Sequence, residues 1–472
     1  MVSKTKEITT LIKNAKKEAR AEVKKTPQEE APYTGPVKWP VNCIVGPGLE
    51  GAIACESKIG YVNGSKGELI YRGYDIFDLC AHSSFEEVSY LLLHGELPTG
   101  KQHERFSSQL LHCRRVPQTI RTLMGFPVEK MNAMAALRLG TNLMRQESTY
   151  VDQEAYRPDR FPSISADEDS IPMETRPRGE KHAIYEFKEK KGGSKPKEVD
   201  KKYGPPVGFT PTYRLISGVA TIAGAVERIR RGALPLEPDP DLSHAGNLVY
   251  MITGRRPTPI EERIMDVTLI LHADHGMNAS TFATMVVAST LSDMYLAVGS
   301  GIAALNGPLH GGANAEVLKM LREIDDPKKA KGWFEQTCEK KKKIMGFGHR
   351  VYKAYDPRAR VLGPLAEYLV ENRGSDEIKR LYATAKELEK LAIARLGETK
   401  GIFPNVDFYS GIVYSCLGIP VEMFTALFAV SRVAGWTSRV MEYLENNRIF
   451  RPRAVYAGSF GKKYVPVAKR EE

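Results

Sequence analysis

The sequence predicts a mainly α fold built as two domains, and three observations lead there. A chain of 472 residues exceeds the length at which one hydrophobic core usually stops growing. Helix start and stop signals recur from Ser84 onward. Alternating strand patterns are scarce. Composition agrees with an ordinary globular protein, with 42% hydrophobic and 26% charged residues. The greasiest runs, such as Thr281 to Val298, are interrupted by Ser, Thr and Asp293, which argues against a bilayer crossing.

The elements follow in chain order. Met1 to about Cys43 reads as a polar, irregular extension, with Lys and Arg mixed with Glu from Lys4 to Lys25 and no apolar core. It lacks secretory or transit character, so a cytoplasmic location is expected. A short hairpin is expected over Ile59 to Arg72, around Asn63-Gly64 and Lys66-Gly67. Ser84 with Glu87 forms a capping-box pattern ahead of Phe85, Val88, Leu91 and Leu92, and Gly95 with Pro98 ends that helix. The polar stretch from about Tyr150 to Pro211, with a second basic run at Lys188 to Lys202, is expected to be peripheral. Thr258, Pro259 and Glu261 open a helix through Ile260, Ile264, Val267 and Leu271 that delivers His272 and His275 near its end. Further helices are expected at Ser280 to Tyr295, Ala313 to Ile324, Ser375 to Leu396, Val421 to Phe428 and Ser431 to Asn446. Gly307 to Gly312 reads as a tight connection between helices.

The net charge of +11 could serve nucleic acid, an anionic membrane or small anionic substrates. Much of the excess lies in the two polar segments, which read as solvated and flexible, and no aromatic-interleaved basic motif of a nucleic-acid module occurs. Neither a nucleic-acid nor a membrane partner is therefore expected. The cysteines, Cys43, Cys55, Cys80, Cys113, Cys338 and Cys416, form no CxxC pairs and read as reduced thiols.

Chemistry-bearing residues gather in a few segments: Leu242 to Asn247 with His244, Leu271 to Ser280 with His275, Gly346 to Arg350 running on to Asp356-Pro-Arg358, and Pro404 to Ser410 with Asp407. A last cluster holds Arg432, Arg451 and Arg453. Each segment alone reads more simply as a cap or a satisfied polar group. His272, Asp274 and His275 suggest a metal, but the histidines are three apart without the intervening Glu of a zinc helix, so no metal is expected. No GxSxG elbow is present, which disfavours a serine nucleophile. The glycines at Gly346 and Gly348 match neither GxGxxG nor a P-loop, yet with Lys341 to Lys343 they suit a phosphate-bearing ligand as well as a solvated turn.

Together and in this order, these segments resemble the citrate synthase family. The resemblance runs from Gly48-Leu-Glu-Gly51 and Tyr71-Arg-Gly-Tyr-Asp75, through Leu91-Leu-Leu-His-Gly-Glu-Leu-Pro98, to Arg451-Pro-Arg453. Its most specific parts are Ala273-Asp-His275, Gly346-Phe-Gly-His349-Arg and Pro404-Asn-Val-Asp407-Phe-Tyr-Ser-Gly411. It implies a citrate-synthase-like helical homodimer with a cleft between a large domain, residues 44–276 and 418–472, and a smaller inserted domain, residues 277–417. It also implies condensation of acetyl-CoA with oxaloacetate and water, with no cofactor. Asp407 then matches the base, His275 the donor to the enol oxygen, and His349 the residue polarising the ketone. His244, His349, Arg358, Arg432 and Arg451 match oxaloacetate-binding positions, with Arg451 reaching the neighbouring subunit's site. Lys343, Ile344, Met345, Gly346 and Phe347 lie where the family holds CoA, and Lys353 is expected to meet a phosphate. Arg453 is expected to remain a surface charge.

The chain departs from the resemblance at Gly276-Met277, where many members carry Glu after the histidine, so the hydrogen bonding around His275 is expected to differ. No extra amino-terminal domain of the kind tied to NADH control is visible. A rival within the same chemistry is 2-methylcitrate synthesis from propionyl-CoA, and a rival of another class is a non-catalytic anion-binding scaffold. The presence of His275, His349 and Asp407 weighs against the scaffold.

Overall fold

In the computed structural model, residues 2–23, 34–35, 37–148 and 209–470 are described. The expectations for 150–208, including the basic run at Lys188 to Lys202, fall outside them. Among the described residues, seventeen helices of seven residues or more form the body: α1 Val2–Val23, α2 Ile76–His82, α3 Phe85–His94, α4 Gly100–His112, α5 Pro117–Met124, α6 Ala133–Ser148, α7 Thr210–Arg230, α8 His244–Thr253, α9 Pro259–His272, α10 Ala279–Ser289, α11 Met294–Leu305, α12 Ala313–Ile324, α13 Pro327–Glu339, α14 Pro357–Arg373, α15 Asp376–Ala392, α16 Val406–Cys416 and α17 Phe424–Leu444. One antiparallel sheet, β1 Gly60–Asn63, β2 Glu68–Tyr71 and β3 Tyr74–Asp75, pairs in the order β1-β2-β3. Among the described residues no helix is long and apolar enough to cross a membrane.

Local chemistry sets most boundaries. The Ser84 side chain accepts from the Glu87 amide at the start of α3, and Gly95 ends the helix in the left-handed region at φ 91°. The reciprocal capping-box bond is formed instead at Thr99 with Gln102 in α4 and at Thr258 with Glu261 in α9. Two sequence expectations merge or divide. The run Ser280 to Tyr295 breaks at Leu291, φ 64°, and restarts with Asp293 as cap, whereas the two segments around Phe428 and Ser431 form the single helix α17, since nothing at Ala429-Val430 interrupts it.

The amino-terminal segment overturns its reading as solvated and irregular. Residues 2–23 form α1, with Ile8, Ile12 and Ala15 buried on one face against α2, α9 and α14. The three- and four-residue spacing that builds this face is diluted by Lys and Glu on the other side, so average polarity concealed it. Lys16 bonds Asp78 on α2, Glu22 bonds Arg360 on α14, and Glu7 accepts from the Tyr368 hydroxyl at 3.3 Å.

Helix α17 is buried almost all round and forms the axis of the larger group, packed by α3, α7, α9, α10 and α11. A second group, α12 to α16, packs chiefly within itself. Helices α10 and α11, which the resemblance assigns to the smaller domain, lie on α17 and α6. The hairpin tip meets the second group: the Gly64 carbonyl accepts from the amides of Lys353 at 2.9 Å and Ala354 at 3.2 Å.

Candidate active site

Four stretches of chain meet where the two helix groups face one another, and each is held by its own polar device. The first is the loop after α9. Helix α9 ends at His272, so His275 sits in the loop rather than on the helix. Arg439, two turns beyond Arg432 on α17, grips Asp274 with two bonds of 2.7 Å, and the Tyr71 hydroxyl donates to the Asp274 carbonyl at 2.7 Å. Gly435 lets α17 approach this closely: a Cβ there would stand 2.2 Å from the Ala273 carbonyl oxygen.

The second and third stretches are stitched to each other. The Asn405 amide donates to the Gly346 carbonyl at 2.8 Å, the Asn405 side chain donates to the Gly348 carbonyl at 2.9 Å, and the Gly348 amide donates to the Phe403 carbonyl at 2.9 Å. The Asn405 side chain also accepts from the Asp407 amide, starting α16 with Asp407 in its first turn. Gly346 adopts φ +78° with Phe408 and Val317 against it, a position only glycine fills without strain. The fourth stretch is the start of α14. Asp356 caps it and binds Arg358 through Nε at 3.0 Å and Nη2 at 2.7 Å, leaving Nη1 uncommitted by that pair.

These supports bring His275, His349, Asp407, Arg358 and Arg432 together. The two imidazole centroids lie 5.0 Å apart, with Tyr352 against both at 5.4 and 5.0 Å. The Tyr352 hydroxyl and His275 Nε2 are 3.2 Å apart. The Arg358 charge bears on His275, His349 and Asp407, and the Arg432 charge on His275 and Asp407.

Burial and these cations set the protonation states. Burial first, then Arg358, holds His275 well below its ordinary pKa and lowers His349 to about 4, so both rings are neutral at neutral pH. In His349, Nδ1 accepts from the Val351 amide at 3.0 Å, which leaves the proton on Nε2. Asp407 runs the other way: burial raises its pKa to about 6, only partly offset by Arg358, Arg432 and Lys343. Among the described residues its buried Oδ1 has no hydrogen-bond partner, nor does Nη2 of Arg432, whose Nε donates to the His272 carbonyl.

The remaining expected residues are placed differently. His244 is buried on α8 beside Phe85 and Arg114, with its pKa lowered to about 3 by burial and then Arg114, and among the described residues its Nε2 has no partner. Lys343 and Lys353 are exposed at the rim, where their charges bear on Asp407 and His349. Ile344 and Phe347 are buried and Met345 is partly buried. Arg451 and Arg453 are exposed on a carboxyl-terminal segment that projects Val455, Tyr456, Phe460 and Tyr464 into solvent. Among the described residues no group of three or more His, Cys, Asp or Glu side chains is placed to hold a metal ion. Sequence reasoning missed Tyr352 and Arg439. Their signals were present in the three-residue spacing of Tyr352 from His349 and the seven-residue spacing of Arg439 from Arg432.

Residues 48–453 match the family model described as citrate synthase, C-terminal domain. The citrate synthase of Deinococcus radiodurans is 39% identical over 427 residues, covering 90% of this chain and 99% of that protein. The 2-methylcitrate synthase of Shewanella oneidensis is 32% identical over 428 residues, covering 90% and 98%. Among solved structures, the ternary complex of carboxymethyl coenzyme A and oxaloacetate with citrate synthase from Thermoplasma acidophilum aligns with a TM-score of 0.73 at 33% identity, covering 91% of this chain and all of that one.

Proposed function

Because the chain belongs to the citrate synthase family, we propose that the crevice around His275, His349 and Asp407 is the active site of its condensation reaction. The activity is that of an acyltransferase that joins acetyl-CoA to oxaloacetate and, with water, releases citrate and CoA. A thioester methyl is too weak an acid for an unaided carboxylate, so proton removal needs a buried base and a donor that stabilises the enolate oxygen as it forms. Asp407 supplies the base. Its raised pKa gives it more basicity than an ordinary carboxylate, while leaving it mostly ionised at neutral pH. Neutral His275 supplies the donor, and His349 offers Nε2–H to the ketone oxygen of oxaloacetate, sharpening its carbon as an electrophile.

The carboxylates of oxaloacetate are met by guanidinium donors left available by the framework, Nη1 of Arg358 and Nη2 of Arg432, with His244 as a further neutral donor. Acyl-CoA lies along Lys343 to Phe347, where the left-handed Gly346 turn brings backbone groups close, and Lys353 meets a phosphate. The exposed apolar carboxyl-terminal segment supports a homodimer in which Arg451 completes the site of a second copy. The domain division follows the packing: the smaller unit is centred on α12 to α16, and the larger unit takes the rest.

The convergence of two neutral imidazoles, a proton-avid carboxylate and two arginines in one buried cluster carries this reading. Its test is thiol release from acetyl-CoA and from propionyl-CoA, each with oxaloacetate. Acetyl-CoA is expected to give the larger kcat/KM. The margin is modest, since one methyl group is worth only about 1–3 kcal/mol in an apolar pocket. A reversed order assigns the chain to 2-methylcitrate synthesis, the activity for which its Shewanella relative is named. No release with either substrate removes the reading.

A further inference from the structure

A neutral histidine can donate from only one ring nitrogen, and whatever occupies the other nitrogen decides which. The Val351 amide settles the matter for His349 by filling Nδ1. For His275, the group at Nε2 is the Tyr352 hydroxyl, 3.2 Å away. Tyr352 is 2% exposed, and among the described residues its hydroxyl has no other hydrogen-bond partner. A hydroxyl hydrogen left buried without an acceptor is unfavourable, so the O–H points at Nε2. An Nε2 that accepts leaves the proton of the neutral ring on Nδ1. We propose that Tyr352 is a positioning residue that locks His275 in its Nδ1–H tautomer and thereby selects the nitrogen that donates to the enolate oxygen. The selection deepens, and rests on, the reading of His275 as that donor.

The surroundings of the loop give Tyr352 this task. A neighbouring carboxylate would be the usual partner to orient a histidine, but the nearest one in sequence is committed elsewhere. Asp274 is held by Arg439 through both oxygens and also accepts from the Gly276 amide at 3.1 Å. The chain then turns through Gly276 at φ +60°, with no acidic side chain following. Tyr352 reaches across instead, from the same short loop that carries His349, with its ring against both imidazoles and the Arg358 guanidinium 5.9 Å from the ring centre. One loop therefore sets both tautomers, and sets them oppositely: His349 presents Nε2–H and His275 presents Nδ1–H.

The test compares the full-length enzyme with Tyr352→Phe, which keeps the ring and removes only the hydroxyl, after thermal unfolding has shown the variant to be folded. Histidine is labelled with 15N, and the His275 signals are assigned by their loss in His275→Gln. In the unsubstituted enzyme Nδ1 is expected to be of the protonated, pyrrole type and Nε2 of the bare, pyridine type. Tyr352→Phe is expected to show both tautomers, and to lower kcat by roughly 10- to 100-fold, less than the ~100- to 1,000-fold cost of deleting a transition-state donor outright. KM for oxaloacetate is expected to stay within about threefold, since the missing interaction acts at the transition state. An unchanged tautomer in Tyr352→Phe overturns the proposal. A changed tautomer with unchanged kcat leaves the positioning by Tyr352 standing and overturns the donor role of His275.

Discussion

Three aspartates around the crevice behave in opposite ways: Asp274 and Asp356 are fully buried, whereas Asp407 is partly buried with its Oδ1 inside. Asp274 and Asp356 form the framework, each bound through both oxygens by one arginine, Arg439 and Arg358. Burial by itself would raise both, but the paired arginine outweighs it and holds each carboxyl below its ordinary value. Asp407 belongs to the working face. It feels Arg358 and Arg432 only at longer range, is bonded to neither, and among the described residues keeps Oδ1 without a partner, so burial wins and its pKa rises to about 6. The contrast separates carboxylates that hold the loops in place from the one left with a reason to take a proton.

The widest consequence of that contrast is in Asp407→Asn. Loss of the base is expected to lower turnover about 100- to 10,000-fold while oxaloacetate binding survives. The stability of this variant should move the other way. A carboxyl whose folded pKa is raised favours the native state below its unfolded pKa and loses that contribution as pH climbs through about 6. Above pH 6 the native enzyme therefore carries a cost that asparagine removes, and Tm is expected to rise at pH 7.5. Near-normal turnover in this variant would take Asp407 out of the mechanism.

Arg439→Met tests the framework side. It strands Asp274 as an unpaired buried charge, which costs about 3–5 kcal/mol. Chemical denaturation at neutral pH should show the loss directly. A stability equal to that of the parent would mean that Asp274 is not held as an ion pair, and the comparison would fail.

The smallest effect is the pH profile. With Asp407 titrating at about 6 and both imidazoles already neutral, kcat/KM should fall roughly tenfold per pH unit below 6. An acid limb displaced toward 4 would assign the titration to a carboxyl with a partner of its own.

Much of the candidate site was legible in the sequence, because its polar groups lie in small-residue contexts whose order along the chain carries the family resemblance, although each segment alone reads as a cap or a satisfied polar group. His275, His349 and Asp407 stand out in that way, as does the capping signal at Thr258. The helix α1 did not, since Ile8, Ile12 and Ala15 are few among many lysines and glutamates, and their meaning depends on the apolar surface of α2 and α14 that covers them. Tyr352 and Arg439 were missed for a related reason: their spacing from His349 and Arg432 is visible in the sequence, but which distant group each one meets is not.

The sequence by itself determined the helical class and several helix ends, because periodicity, caps and glycine turns act over a few residues, and its ordered motifs carried the family resemblance. Only the tertiary structure decided which carboxylate is paired, which ring nitrogen carries a proton and whether the amino-terminal segment is solvated. Those properties come from burial and from groups brought together across the fold, as Arg439 meets Asp274 and Tyr352 meets His275, where a few ångströms change the sign of a pKa shift.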